Sequence, residues 1–187
     1  DIAEEFVRHI YTARLIGANP DLVFCGGGST SLKLRRTDVL GENQEILFVT
    51  GRGVALANSE PEDYVVLDLA VLRKFRKLEN IEDTELDNQL QIRKLQPSPL
   101  NPAVDSFLHA FLPHRYIEHT HADSILILTG QPNGLDMVQE ALGPMTTFLP
   151  FTPPGLPLAK AAADSYSQHP DIEAIVIANY GIVTFGA

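Results

Sequence analysis

With a single cysteine, Cys25, the chain has no means of forming an intrachain disulfide, and a reducing cytoplasm is the expected compartment. Positive charge is scarce as well. Fourteen Lys and Arg face twenty-four Asp and Glu, leaving a formal net charge of −10 over 187 residues. That balance argues against a nucleic-acid partner, whose phosphates reward clustered cations. An anionic ligand would have to be met locally, by backbone N–H groups, a metal or a few cations. No apolar run approaches a membrane span, so no membrane partner is expected. No basic stretch leads into a short apolar segment at the start, so no signal peptide is expected. There is no G-x-x-x-x-G-K-[ST] phosphate loop and no G-x-G-x-x-G dinucleotide fingerprint. Repeats, low-complexity segments and an internal domain boundary are also missing. The remaining composition, 44% hydrophobic and 20% charged, is that of one globular domain with a substantial core. A strand-like segment runs to Ala187 without a closing helix. The expectation is therefore a single domain over 1–187, truncated at its C-terminus.

Periodicity supplies the elements. Ile2, Phe6, Ile10 and Ala13 recur at helical spacing over 2–16, and "GANP" stops that helix. "CGGGSTSLKL" reads as a Gly-rich turn entering a strand, and "EILFVTGRG" as a strand ending in a second Gly turn. Gly41-Glu42-Asn43 turns the hairpin between them. "YVVLDL" is a short strand, and 69–79 and 84–95 read as charged helices. "QPSPLNP" is a turn, followed by an amphipathic helix over 103–112 with Val104, Phe107, Leu108 and Phe111 on its apolar side. "RYIEHTH" is a strand, 134–142 and 157–168 are helices, and "IEAIVIANYGIVTFG" is strand, turn at 179–181, and strand. Helices mixed with hairpin-connected strands predict an α/β sandwich on a largely antiparallel sheet.

The chemistry concentrates in a few places. Ile117, His119 and His121 share one face of their strand, because side chains alternate. Two imidazoles so placed suit two ligands of one metal. Asp105 and His109 lie four apart on the preceding helix, which can bring a carboxylate beside such a metal as a general base. "GGGSTS", Gly26 to Ser31, offers backbone N–H groups and hydroxyls to an anion. "TGRG", Thr50 to Gly53, and "PSP", Pro97 to Pro99, are loops of similar type, with Arg52 as a cation. Each motif also has a plain structural explanation: satisfied histidines, a surface ion pair, ordinary turns.

Together these segments resemble the class II aldolase/adducin family. The run "NPAVDSFLHAFLPHRYIEHTHADSILILTGQP" is similar to the aldolase part of bifunctional rhamnulose-phosphate aldolase/alcohol dehydrogenase proteins. "GGGSTSLK", "LFVTGRG", "PFTPPGLPLAKAAADSYSQHPDIEAIVI" and "GIVTFG" extend the resemblance over nearly the whole chain. It implies a three-layer α/β/α sandwich, a homotetramer with sites between subunits, and a zinc-dependent retro-aldol reaction. The implied substrate is a small sugar phosphate, cleaved through an enediolate.

By position, the resemblance makes His119 and His121 metal ligands for Zn2+ or another divalent ion. Asp105 stands where active members have a catalytic glutamate. Gly28, Ser29, Thr50, Gly51, Gly53 and Ser98 fall on three phosphate-binding loops. Tyr180 replaces the histidine that completes the metal site. A neutral phenol is a poor ligand, so Asp105, His109 and His114 stand as other third donors. The two replacements leave two further functions open. One is an inactive member serving as a ligand-binding or assembly module; the other is a ketopentose-phosphate epimerase.

Overall fold

The computed structural model describes residues 2–187. Seven strands form one sheet in the order β3-β2-β1-β4-β7-β6-β5. They are β1 (Ser29–Thr37), β2 (Asn43–Thr50), β3 (Tyr64–Asp68), β4 (Tyr116–Thr120), β5 (Thr146–Leu149), β6 (Ala174–Ile177) and β7 (Gly181–Gly186). Every neighbouring pair is antiparallel except β5 with β6, which is parallel. Among the described residues seven α-helices accompany them: α1 (Ile2–Gly17), α2 (Leu69–Lys74), α3 (Asp83–Ile92), α4 (Ser106–Phe111), α5 (Asp123–Thr129), α6 (Gly134–Leu142) and α7 (Leu156–Gln168).

The pleat divides the core into two layers. On one face Leu47, Val49, Ile117, Ile175 and Val183 pack under α2, α3, α4 and α7 through Leu72, Leu90, Phe107 and Leu158. On the other, Leu32, Ile46 and Val66 meet α1 through Phe6, and Val176 meets α5 and α6 through Ile125 and Val138. This is the expected α/β/α sandwich.

Several elements differ from the expectation. The helix expected over 69–79 is α2 followed by a 3-10 turn, Phe75–Lys77, and the one expected over 84–95 ends at Ile92. The helix expected over 103–112 is only Ser106–Phe111, with Asp105 at its N-cap position. Asp105 does not cap it. Its carboxylate turns away toward β4 and β7, because stronger partners wait there.

Candidate functional site

The site forms where the N-terminal end of β1, the C-terminal end of β4 and the β6–β7 turn meet the start of α4. His119 lies on the α4 side of β4 and is fully buried, and Asp105 is 8% exposed. Asp105 Oδ2 bonds His119 Nδ1 at 2.8 Å. Asp105 Oδ1 accepts the Tyr180 hydroxyl at 3.0 Å, and Ser29 Oγ donates to Oδ2 at 3.3 Å. Ser29 Oγ also lies 2.8 Å from His109 Nε2, and Ser31 Oγ lies 2.7 Å from His109 Nδ1. One assignment of protons satisfies all of this. Ser31 donates to His109 Nδ1, His109 Nε2–H donates to Ser29, and Ser29 donates to the carboxylate.

The electrostatics follow from that wiring. Burial pushes the Asp105 carboxyl up, but the His119 N–H and Tyr180 O–H aimed at it outweigh burial and hold it well below the carboxylate range. Burial, then the adjacent carboxylate, pushes the Tyr180 phenol far above its ordinary value. Burial takes His109 down to about 3, so it is a neutral hydrogen-bonding ring. Burial and then His119 lower half-buried His121.

The rings of His119, His121 and Tyr180 converge. The His119 centroid is 4.8 Å from His121 and 4.8 Å from Tyr180, on which it stacks at 21°. His121 and Tyr180 are 5.4 Å apart. Gly181 makes the turn feasible. Its φ is +145°, and a Cβ there would stand 2.1 Å from the Thr120 carbonyl oxygen and 3.2 Å from His119 Nε2.

These donors fit a divalent ion in part. With Nδ1–H given to Asp105, the second ring nitrogen of His119, Nε2, is buried without a partner. A carboxylate-oriented imidazole with a free second nitrogen is the usual arrangement of a metal-ligating histidine. His121 stands beside it. The third donor is where the fit fails. Tyr180 donates its hydroxyl to Asp105, and its raised phenol opposes ionisation. Both His109 nitrogens are bonded to serines. His114 stacks on Phe185 beyond the far end of β4, roughly 16 Å from His119 at the strand's rise per residue. Among the described residues no three of His, Cys, Asp and Glu are placed to hold a metal.

The three loops also come together. A Cβ on Gly26 would meet Gly53 O at 2.6 Å, and one on Gly51 would meet Leu100 at 2.9 Å. Thr30 N donates to Thr50 Oγ1 at 3.2 Å, and Arg52 N to Asn101 O at 2.8 Å. Gly27 lies against His121, which ties the loops to the histidines. Gly28 has φ +77° and leaves no room for a Cβ, which would stand 2.7 Å from His119 O. Ser29 is buried and faces Asp105 and His109, so its hydroxyl is not presented to an anion in the loops. Ser98 Oγ accepts from Leu100 N at 3.2 Å. Arg52 is an exposed cation paired with Asp87 at 2.7 Å. Sequence reasoning took Ser31 only as part of the Gly26–Ser31 anion loop and missed its bond to His109, although its period-two spacing from Ser29 already put both hydroxyls on one face.

Fold and site together define an α/β/α sandwich domain with a buried carboxylate–imidazole centre. The family model for the class II aldolase and adducin N-terminal domain matches residues 8–187, and the chain belongs to that family. A domain from Thermoplasma acidophilum, described as the N-terminal class II aldolase domain of a conserved protein, is 34% identical. The match covers 95% of this chain and 82% of that one, with a TM-score of 0.87. A sugar-phosphate aldolase from Thermotoga maritima is 13% identical over 97% of this chain and 86% of its own, with a TM-score of 0.66, and so shares the fold. The Bacillus subtilis (strain 168) protein YuxG, described as an uncharacterized oxidoreductase, is 29% identical over 177 residues, 95% of this chain. The chain spans about a quarter of that relative, 26% of its length. No helix among the described residues is long and apolar enough to cross a membrane.

Proposed function

We propose that this domain is an aldolase-type lyase, acting on a small phosphorylated hydroxy-carbonyl compound, whose centre is altered at Asp105 and Tyr180. The observation that carries the reading is the Asp105–His119 bond, which leaves a buried imidazole nitrogen free beside His121. His119 and His121 would hold a divalent ion, with zinc the first choice for nitrogen donors. Such an ion acts as a Lewis acid toward a carbonyl oxygen.

The chain's own residues divide the remaining work. Asp105 is the group able to take a proton from carbon next to a carbonyl, or to return it. Ser29, His109 and Ser31 hold Asp105 in place, and its low pKa keeps it ionised. To accept a proton it must loosen one existing bond, and the Tyr180 hydroxyl is the one held on Oδ1. The backbone around Gly28, Gly51 and Gly53, with Thr50 and Ser98, would meet the phosphate. A homotetramer in the cytoplasm belongs to the same reading.

The experiment is metal content. Protein purified without a metal-affinity step is dialysed against zinc and counted by mass spectrometry, with His119→Ala/His121→Ala as control. About one zinc per chain, lost in the control, supports the reading, and assays on ketose phosphates follow.

The Tyr180–Asp105 bond favours a second reading, a family member that binds a ligand or assembles without turnover. It engages both the base and the third donor position with each other. No bound zinc would select it.

A further inference from the structure

A charged cavity lies away from the histidines. β1 runs to Thr37, but β4 pairs with it only from Ser29 to Leu32. One further bond, Lys33 N to Arg115 O, closes that edge. By the alternation of an antiparallel ladder, the N–H and C=O of Arg35 point toward the same open edge. The notch left there is a cavity of about 570 Å3 between the first turns of α1, the β1–β2 hairpin, α2 and the Pro113–Arg115 turn. Counted along β1, its centre is roughly 13 Å from Ser29.

Its lining is cationic in a strongly acidic chain. Lys33, Arg35, Arg73 and Arg115 face it, against Glu5 and Glu45 alone. Glu45 is divided between Arg35 at 3.1 Å and Arg73 at 3.0 Å. Glu5 takes both Arg115 and the Tyr116 hydroxyl. Two basic groups are therefore left without a carboxylate of their own. Lys33 is the decisive member. It is 7% exposed, and its amine is bonded to the Leu112 and His114 carbonyl oxygens at 2.5 and 2.7 Å. Among the described residues no carboxylate lies within ion-pair distance of it. Burial, then Arg73, holds the Lys33 amine well below its ordinary pKa, and an anion in the notch would favour its charged form.

We propose that this notch binds a compact dianionic oxyanion of the phosphate type, gripped by Arg35 and Arg115 at its rim with Lys33 and Arg73 behind. Guanidinium forks match phosphate oxygens in geometry. The site is independent of the aldolase-type reading.

The test is an NMR titration of the labelled full chain with sodium phosphate, against sodium chloride at equal ionic strength. Saturating shifts are expected at the amides of Lys33 to Arg36, with a Kd of about 1 mM. Arg35→Gln/Arg115→Gln should weaken binding by about tenfold or more. Both side chains are exposed, 81% and 46%, so folding is not at risk. Glycerol phosphate binding at least as tightly assigns a phosphate ester as the ligand; binding of the free ion alone assigns inorganic phosphate. Shifts that never saturate at these amides, that persist in the double variant, or that are confined to the loops around Gly28 and Gly53 overturn the proposal.

Discussion

Replacing Tyr180 with histidine should rebuild a three-imidazole site. The phenol ring stacks on His119 at 4.8 Å and lies 5.4 Å from His121, so an imidazole at 180 would share their space. The substitution removes the hydroxyl bond to Asp105, a hydrogen bond to a charged group worth about 1.5–3 kcal/mol, with the lower end apt for a half-buried ring. It adds a neutral nitrogen donor in place of a phenol that burial and a carboxylate keep protonated. Outer partners of a metal site alone are worth 10–100-fold in affinity. A direct donor should give at least about a hundredfold, or ~2.7 kcal/mol. The assay is competition for zinc against a chromophoric chelator at pH 7.5, with circular dichroism to check folding. Tyr180→Phe separates the two effects, because it frees Asp105 without adding a donor. A folded Tyr180→His protein with wild-type zinc affinity refutes the reasoning. So does Tyr180→Phe matching the histidine variant, because the gain would then come from releasing Asp105.

Asp105→Asn should abolish any aldol turnover while the protein stays folded; full activity would remove Asp105 from the chemistry. Gly181→Ala should destabilise by several kcal/mol or prevent folding, since its Cβ would overlap the Thr120 carbonyl; a wild-type melting curve would show that the turn can move. His9, buried against Tyr64 and Tyr116, has its pKa pulled by burial from 6.5 to about 4. The unfolded chain therefore binds the extra proton first, and stability should fall as pH drops from about 6.5 to 4, by up to ~3 kcal/mol. Because His109, taken down to about 3 by burial, shares that limb, His9→Leu should reduce its slope in urea titrations without removing it, and an unchanged slope would assign the limb elsewhere.

The parts of this molecule legible in its sequence are those written in short-range periodicity. The alternation in "YIEHT" put His119 on the core face before any coordinate did, and the glycines of the three loops marked turns that the structure brings together. The unassigned elements lacked such a signal. α5, "DSILILT", buries Ile125 and Thr129 but leaves Ile127 exposed at 64%, so its apolar run has no clean face. β5 is four half-buried residues at the sheet edge, held by its parallel partner β6. The 103–112 pattern extended the helix through Asp105, because an apolar stripe does not record where a carboxylate finds better partners. Those partners are remote: Ser29 is 76 positions away and Tyr180 75.

That remoteness bears on how the two altered positions should be understood. Taken separately, Asp105 looks like a shortened base and Tyr180 like a lost ligand. Bonded to each other at 3.0 Å, they form one unit. A glutamate at 105 carries one more methylene, so its carboxylate would sit elsewhere and the present contacts to Tyr180, His119 and Ser29 would not be kept in this geometry. A histidine at 180 lacks the phenol O–H that now satisfies Oδ1. Asp105 and Tyr180 are thus fitted to each other in this geometry. The physical consequence is coupling: the effects of Asp105→Glu and Tyr180→His on zinc affinity should be non-additive, with the double variant exceeding the sum of the singles by more than about 0.5 kcal/mol, the scale of interaction between contacting residues. A double variant equal to that sum would mean the two positions act independently, and that the contact between them is incidental.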